Sequence, residues 1–241
     1  NIMAVMIGYM FGLRATNLFN LQLNEIRIIM PRSQHGQRTL AYSKSFCKNV
    51  FRDENQPREL PLGNCSDVIT ECYIAFLKMK RYMYSYRMVE TPSDNFLDPA
   101  NFIPFDKKDE FKTVFSDAGE LDAFLDRISD ANAVSVDRRV WSIPGEYVAE
   151  SKCTKVTSWL KSALKGARVL EEASAGRSLT SHVIRSGAAS AFVCANPTLL
   201  VKAKFHFGWK LSSDVIEENY IAHSWTLRAH PDALFFWGDW N

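Results

Sequence analysis

The sequence predicts an α+β fold, mainly helical, with a small antiparallel β-sheet near the N-terminal third. First, the chain has 241 residues, of which 46% are hydrophobic, enough for one large domain with a substantial core. Second, several segments repeat apolar residues at helical spacing. Third, one short region holds β-branched and aromatic residues around a cluster of turn residues. Every apolar stretch is too short or too interrupted to span a bilayer, so we expect no membrane partner.

The N-terminal third supplies two helices and the expected sheet. Residues 1–11 are apolar on most faces, as in a buried helix, and Gly12 interrupts them before a second helical stretch at residues 14–23. Residues 24–30 and 38–46 then predict two paired strands separated by turn residues. The next segment, "DENQPREL", is interpreted as a loop before a short apolar stretch.

Six further helices are expected from their apolar period and end signals. In the penultimate one, Asn196 is expected as the N-cap, Pro197 as the first helical residue and Gly208 as the end. The last is expected to begin with a capping box formed by Asp214 and Glu217. The Pro- and Asp-rich segment 91–106 is expected to be a loop. The expected helices are residues 66–86 with Ser66 as cap, 116–128, 154–167 ending near Gly166, 179–194, 196–208 and 212–225.

The net charge of +2 hides an uneven distribution along the chain. Residues 1–88 hold 12 Lys and Arg against 6 Asp and Glu, a net charge of +6. Residues 89–150 have a net charge of −8 and residues 151–241 a net charge of +4. Two basic parts around an acidic middle are typical of a protein that binds nucleic acid, with chance clustering as the alternative.

The cysteines indicate a reducing compartment rather than a disulfide framework. They are scattered, odd in number and without the paired spacing of a metal site, so we expect an intracellular protein with no bound metal. The five are Cys47, Cys65, Cys72, Cys153 and Cys194.

Three separated motifs follow one another in a particular order. "GLRATNLFNLQLNEI" places Arg14 after a Gly-Leu pair and before a leucine-rich helix and a strand. "HVIRSGAASAF" places His182 and Arg185 three positions apart, with small residues after the arginine. "FGWKLSSDVIEENYI" places Trp209 after a glycine and Tyr220 on a capped helix. This order resembles the catalytic domain of the tyrosine recombinase (phage-integrase) family, which cuts and rejoins DNA strands.

The resemblance covers residues 2–62 and about 155–225, and it implies a metal-independent transesterification without cofactors. Cleavage of a phosphodiester builds negative charge on its non-bridging oxygens, which arginine forks and an indole N–H stabilise. A tyrosine attacks phosphorus to form a covalent 3′-phosphotyrosine, and a lysine on a β-hairpin protonates the leaving 5′-oxygen. We prefer Lys44 for that lysine, with Lys48 as the alternative. The implied catalytic residues are Arg14, Lys44, His182, Arg185, Trp209 and Tyr220.

The resemblance also implies partners: double-stranded DNA, and further copies of the chain as a dimer or tetramer on that DNA. The aromatic C-terminal tail, about residues 226–241, is expected to dock on another protomer, or to fold back onto its own core. If the host is eukaryotic, the protein is expected in the nucleus.

Two departures from the family pattern bear on the subfamily. An acidic insertion at about residues 106–150, with a net charge of −5, is expected to lie away from the DNA. The family's N-terminal DNA-clamping domain has no counterpart in the chain, so residues 1–241 are expected to be the catalytic domain alone. The insertion and the tryptophan in the last motif favour a eukaryotic mobile-element recombinase of the Crypton type, active in DNA integration and transposition.

Less specific interpretations of the same residues stay open at this stage. Arg14 also suits a surface ion pair, His182 a polar helix start and Trp209 a core position. The stretch "KMKRYMYSYR" suits a solvated helix face better than a DNA contact. Two other functions remain: a recombinase fold that has lost catalysis and only binds DNA, and an intracellular protein-interaction domain unrelated to DNA.

Overall fold

The computed structural model confirms the α+β class for the part of the chain that it describes. The described part holds helices and a three-stranded antiparallel sheet. Among the described helices, none is both long and apolar enough to cross a membrane. The described residues are 1–29, 38–43, 58–60, 67–77, 139–141, 151–174 and 178–218.

The described helices fall within or next to the segments where the sequence predicts them, except α5 at Leu170–Ser174, which the sequence analysis did not predict. Ser151 caps the fourth helix, accepting a hydrogen bond from the Thr154 N–H at 3.2 Å, so that helix begins before the predicted residue 154. A 3₁₀ turn covers Leu23–Glu25, and residues 215–218 are helical. The helices are α1 Ile2–Met10, α2 Ala15–Phe19, α3 residues 67–77, α4 Lys152–Gly166, α5 Leu170–Ser174, α6 His182–Ala195 and α7 Leu200–Phe207.

The sheet has one strand more than the sequence predicts. Strands β1 (Ile26–Ile29), β2 (Thr39–Tyr42) and β3 (Arg58–Glu59) pair antiparallel in the order β1-β2-β3. Leu60 continues the pairing, since its N–H donates to the Leu40 carbonyl at 2.9 Å. The expectation of a loop through residues 58–59 is wrong. A two-residue polar strand is too short to show the alternation of apolar and polar residues by which a strand is recognised in a sequence.

The start of α7 is a second correction. Asn196 does not cap α7; its N–H donates to the Phe192 carbonyl at 2.8 Å and closes α6. A turn follows, in which the Leu199 N–H donates to the Asn196 carbonyl at 3.0 Å, so Pro197 lies in this turn and α7 begins at Leu200.

The core brings the N-terminal helix against the C-terminal helices. Helix α1 packs against α4 and α6, and α2 packs against α4. Ile7, Phe11, Leu18 and Phe192 are fully buried at this junction. The chain's first motif is thereby held beside its second.

Part of the predicted acidic insertion belongs to this core. Val140 is fully buried, and its N–H donates to the Leu21 carbonyl at 2.7 Å. Arg139 pairs with Gln22 in an isolated β-bridge, and its guanidinium carbon lies 5.5 Å from the centre of the Phe19 ring. The rest of the 106–150 insertion lies outside the described residues, as do the predicted loop 91–106, the predicted helix 116–128 and the tail 226–241.

Candidate functional site

The first motif begins at a tight turn that ends α1. The Gly12 N–H donates to the Tyr9 carbonyl at 3.1 Å and the Leu13 N–H to the Gly8 carbonyl at 2.8 Å. This is the Schellman arrangement of a helix C-terminus, and it places Gly12 in the left-handed region with φ of 55°. A Cβ at this position would lie 2.2 Å from Cδ1 of the Phe207 ring, so only glycine fits.

The last motif begins at a turn of the same kind at the end of α7. Gly208 has φ of 69°, its N–H donates to the Phe205 carbonyl at 3.1 Å, and the Trp209 N–H donates to the Lys204 carbonyl at 2.8 Å. The expectation that Gly208 ends this helix is confirmed. Because Phe207 packs on Gly12, the two helix ends lie against each other.

Arg185 joins these two turns from the first half of α6. Its side chain is 6% exposed, and its Nη1 donates a hydrogen bond to the Gly12 carbonyl at 2.5 Å. Its guanidinium carbon lies 4.0 Å from the centre of the Trp209 ring, in a cation–π contact. One side chain therefore contacts residues from both of the other motifs.

Arg14 and His182 lie at the solvent side of this junction. Arg14 immediately precedes α2 and is exposed. It comes two residues after Gly12, whose carbonyl accepts the hydrogen bond from Arg185. His182 is the first residue of α6 and is also exposed, whereas Arg185, three positions later, is buried. The hydrogen bond from the Ser181 N–H to the Thr157 hydroxyl oxygen, 3.0 Å long, fixes the start of α6 on α4.

Trp209 is the remaining described residue of the predicted set. It is 8% exposed and packs edge-on against Phe207, with 5.9 Å between the ring centres. Its ring therefore belongs to the core and also covers Arg185. Tyr220, Lys44 and the alternative Lys48 lie outside the described residues, so their roles stay predictions.

Arg58 is a cation at this junction that the sequence analysis missed. It lies opposite Tyr42 in the sheet, with its guanidinium carbon 5.8 Å from the centre of the Tyr42 ring. A Cβ added to Gly208 would lie 2.4 Å from Arg58 Nη2, so the guanidinium rests on the glycine backbone. The only signal in the sequence was the short "PREL" stretch, which has the composition of a loop.

Lys204 is a second missed cation, and it ties the segment after Trp209 to α7. The residue is 6% exposed, and its ammonium group donates to the Leu211 carbonyl at 3.3 Å and pairs with Glu217 at 2.5 Å. The predicted capping box is therefore wrong, because Glu217 pairs with Lys204 and the Val215 N–H donates to the Ser213 hydroxyl at 3.4 Å.

His206 is buried beneath the two turns. Its Nε2 lies 2.6 Å from the Met10 carbonyl, which can only accept, and its ring stacks on those of Phe11 and Phe192. Burial is the main cause that lowers the pKa of His206; the hydrogen bond to Met10 opposes it, the charge of Arg58 adds to it, and the net pKa is about 4. His206 is therefore neutral at physiological pH.

The arrangement offers guanidinium and imidazole groups rather than a ligand set for a cation. Among the described residues, no group of three or more His, Cys, Asp and Glu side chains is placed to hold a metal ion. In the comparisons with known proteins, no family model, curated protein or solved structure matches this chain.

Proposed function

We propose that this domain cuts and rejoins double-stranded DNA by the transesterification of tyrosine recombinases. The observation that supports the proposal most directly is the double contact of Arg185, which binds the Gly12 carbonyl and covers the Trp209 ring. Three motifs from distant parts of the chain, singled out for their chemistry, thus meet around one guanidinium.

In the proposed reaction, the guanidinium groups at this junction bind the scissile phosphate. Arg14 is exposed and supplies a planar fork at the solvent side, while Arg185 supplies one from beneath. The Tyr220 oxygen attacks phosphorus as its proton passes to His182 or to solvent, a P–O bond to tyrosine forms, and the bond to the 5′-oxygen breaks. Lys44, with Lys48 as the alternative, gives a proton to the leaving 5′-oxygen, and rejoining runs the same steps backwards.

The charge distribution supports DNA as the partner. The basic parts, residues 1–88 and 151–241, supply the described elements of the junction. Positive potential around such a site attracts the phosphate backbone. We further propose assembly as a dimer or tetramer on DNA and a role in the integration of a mobile element, in the nucleus if the host is eukaryotic.

One observation favours a second candidate function, a recombinase fold that binds DNA without cutting it. Arg185 is 6% exposed and already donates to a backbone carbonyl, so its contacts are those of a residue that stabilises the fold. A catalytic arginine needs donors that reach the phosphate in the transition state. Under this alternative, Arg14 and the basic surface bind DNA and no covalent step occurs.

The test is the formation of a covalent adduct with DNA. Full-length protein is incubated with a pool of randomised duplexes that carry a nick, so that cleavage releases a short strand and traps the adduct. We expect a protein–DNA band that survives denaturation, and we expect Tyr220→Phe to abolish it while DNA binding stays nearly intact. No adduct from the wild-type chain despite DNA binding would favour the binding-only alternative.

Tyr73→Phe provides the matched control. The Tyr73 hydroxyl is buried in α3 without a hydrogen-bond partner, and burial raises its pKa far above the usual range. Its removal leaves a packed ring and takes away no described contact to the junction. We expect this variant to form adducts at the wild-type rate, and an equal loss in both variants would show that the Tyr220→Phe result is not specific to the nucleophile.

A further inference from the structure

Arg58 occupies a defined place at the edge of the sheet. In the order β1-β2-β3, strand β3 is the edge strand, and the Arg58 guanidinium extends from it across the Tyr42 ring to the backbone of Gly208. The missing side chain of Gly208 makes room for this approach, since an added Cβ would lie 2.4 Å from Arg58 Nη2. The end of α7 is thus shaped to admit a guanidinium.

Two guanidinium groups contact neighbouring residues at the start of the last motif. Arg58 lies against Gly208, and Arg185 lies on the ring of the next residue, Trp209. Arg14 follows the turn whose carbonyl Arg185 binds. Guanidinium groups from β3 and α6 therefore lie against adjacent residues at the end of α7, and positive charge gathered there attracts an anion.

We propose that Arg58 is a further phosphate-binding residue of the proposed DNA site, contacting the backbone of the bound strand. This inference rests on the proposed function. Planar guanidinium groups bind phosphate oxygens through paired hydrogen bonds, and a rigid backing holds them in place for that task. Tyr42 and the Gly208 backbone form such a backing for Arg58.

Other arginines on the sheet have different surroundings and allow a matched control. Arg38 immediately precedes β2 and pairs with Glu71 of α3. It lies next to the same sheet as Arg58 but has no described contact to the ends of α1 and α7. Arg38→Met therefore removes the same charge without touching the junction.

The experiment measures how the affinity for a short random-sequence duplex depends on salt. Each phosphate contact contributes about 0.9 to the slope of log affinity against log salt. We expect Arg58→Met to lower the slope by about 0.9, and Arg38→Met to leave it unchanged. A folded Arg58→Met variant with the wild-type slope would overturn the proposal, because loss of packing alone does not change counterion release.

A second measurement uses the wild-type protein, in case Arg58→Met does not fold. Arginines are modified with phenylglyoxal with and without the duplex, and each site is quantified by peptide mass spectrometry. We expect DNA to slow modification of Arg58 several-fold and leave Arg38 unaffected. Equal rates for Arg58 with and without DNA would contradict the phosphate contact.

The two proposals fail in different ways. If the wild-type chain forms no covalent adduct but Arg58→Met lowers the salt slope, the cleavage activity is excluded and the phosphate contact stands. If the wild-type chain forms the adduct and Arg58 affects neither the slope nor the modification rate, the contact is excluded and the cleavage activity stands.

Discussion

Arg185 lies over the ring of Trp209, with its guanidinium carbon 4.0 Å from the ring centre, while its Nη1 donates a hydrogen bond to the carbonyl of Gly12. The pair connects the middle of the second motif to the start of the third. A guanidinium in this position stabilises the fold whatever its role in catalysis, because it satisfies a buried carbonyl at the end of α1.

Arg185→Lys tests this double contact. Lysine keeps the positive charge but cannot cover the ring with a planar group and donate to Gly12 at the same time. We expect a loss of about 2 kcal/mol in the free energy of unfolding, measured by urea denaturation. Arg27→Lys on β1, where the arginine is exposed, should change stability by less than about 0.5 kcal/mol. Equal stabilities for Arg185→Lys and wild type would contradict the structural role.

Arg185→Ala should also weaken DNA binding, unlike Tyr220→Phe. The change removes a cation from the junction, whereas the tyrosine variant leaves every cation in place. Affinity is compared at one salt concentration by fluorescence anisotropy. If both variants bind DNA as the wild type does, Arg185 does not contribute to the DNA surface.

Gly12→Ala should be strongly destabilising. The new Cβ meets the Phe207 ring at 2.2 Å, and the backbone has φ of 55°, which disfavours side chains. We expect a loss of about 3 kcal/mol in thermal or urea unfolding. Gly166→Ala is the control, since nothing lies within 4 Å of its added Cβ and alanine favours the helical conformation there. A mild effect at residue 12 would show that the two helix ends do not pack as described.

Arg168→Gly should stabilise the protein by about 0.5 kcal/mol. Arg168 has φ of 61° and occupies the position after α4 where glycine is preferred, since the Val169 N–H donates to the Leu164 carbonyl at 3.0 Å. Arg168→Ala removes the long side chain but keeps a Cβ. It therefore separates the effect of losing the side chain from the effect of relieving the left-handed backbone. If alanine stabilises as much as glycine does, the gain does not come from the left-handed conformation.

The Lys204–Glu217 pair should show energetic coupling. Lys204→Met leaves a partly buried carboxylate without its cation, and we expect a loss of about 1 to 2 kcal/mol, less than for a fully buried pair because Glu217 is 34% exposed. A double-mutant cycle with Glu217→Gln measures the coupling directly. Additive effects of the two changes would show that the pair does not hold the segment after Trp209.

Acid should destabilise the fold through His206. Its pKa is about 4 in the folded protein against 6.5 for an unperturbed histidine, so the unfolded chain binds more protons between these values. The stability that the neutral His206 contributes is therefore fully present above pH 6.5. It is lost as the pH drops toward 4, by about 3 kcal/mol in all. Urea unfolding across this range is compared with that of His206→Gln, which should show a shallower dependence. An unchanged slope in the variant would exclude His206 as the source.

The sequence predicted the helices and glycine stops well because these signals are local. Gly12 and Gly208 lie where apolar periods end, and both adopt the left-handed turn that such stops require. The expected end of α4 near Gly166 is confirmed, and the left-handed residue of the turn that follows is Arg168.

What the sequence did not show depends on contacts between distant segments. Strand β3 exists only because β2 supplies its partner, and its Arg58 meets Gly208 through folding alone. In the sequence, Lys204 is one of several lysines on predicted helices, and only the folded structure shows that it pairs with Glu217. Likewise, the motif order named Arg185 but gave no sign that it would be buried.

The distance along the chain between α1 and its partners has a consequence for synthesis. The carbonyl of Met10 meets its partner 196 residues later, and that of Gly12 meets Arg185 173 residues later. Contacts so far apart in sequence are slow to form and must wait until the ribosome has released nearly the whole segment. An emerging or prematurely terminated chain that lacks α6 and α7 therefore has no assembled junction, and the proposed reaction with DNA requires a product that includes both helices.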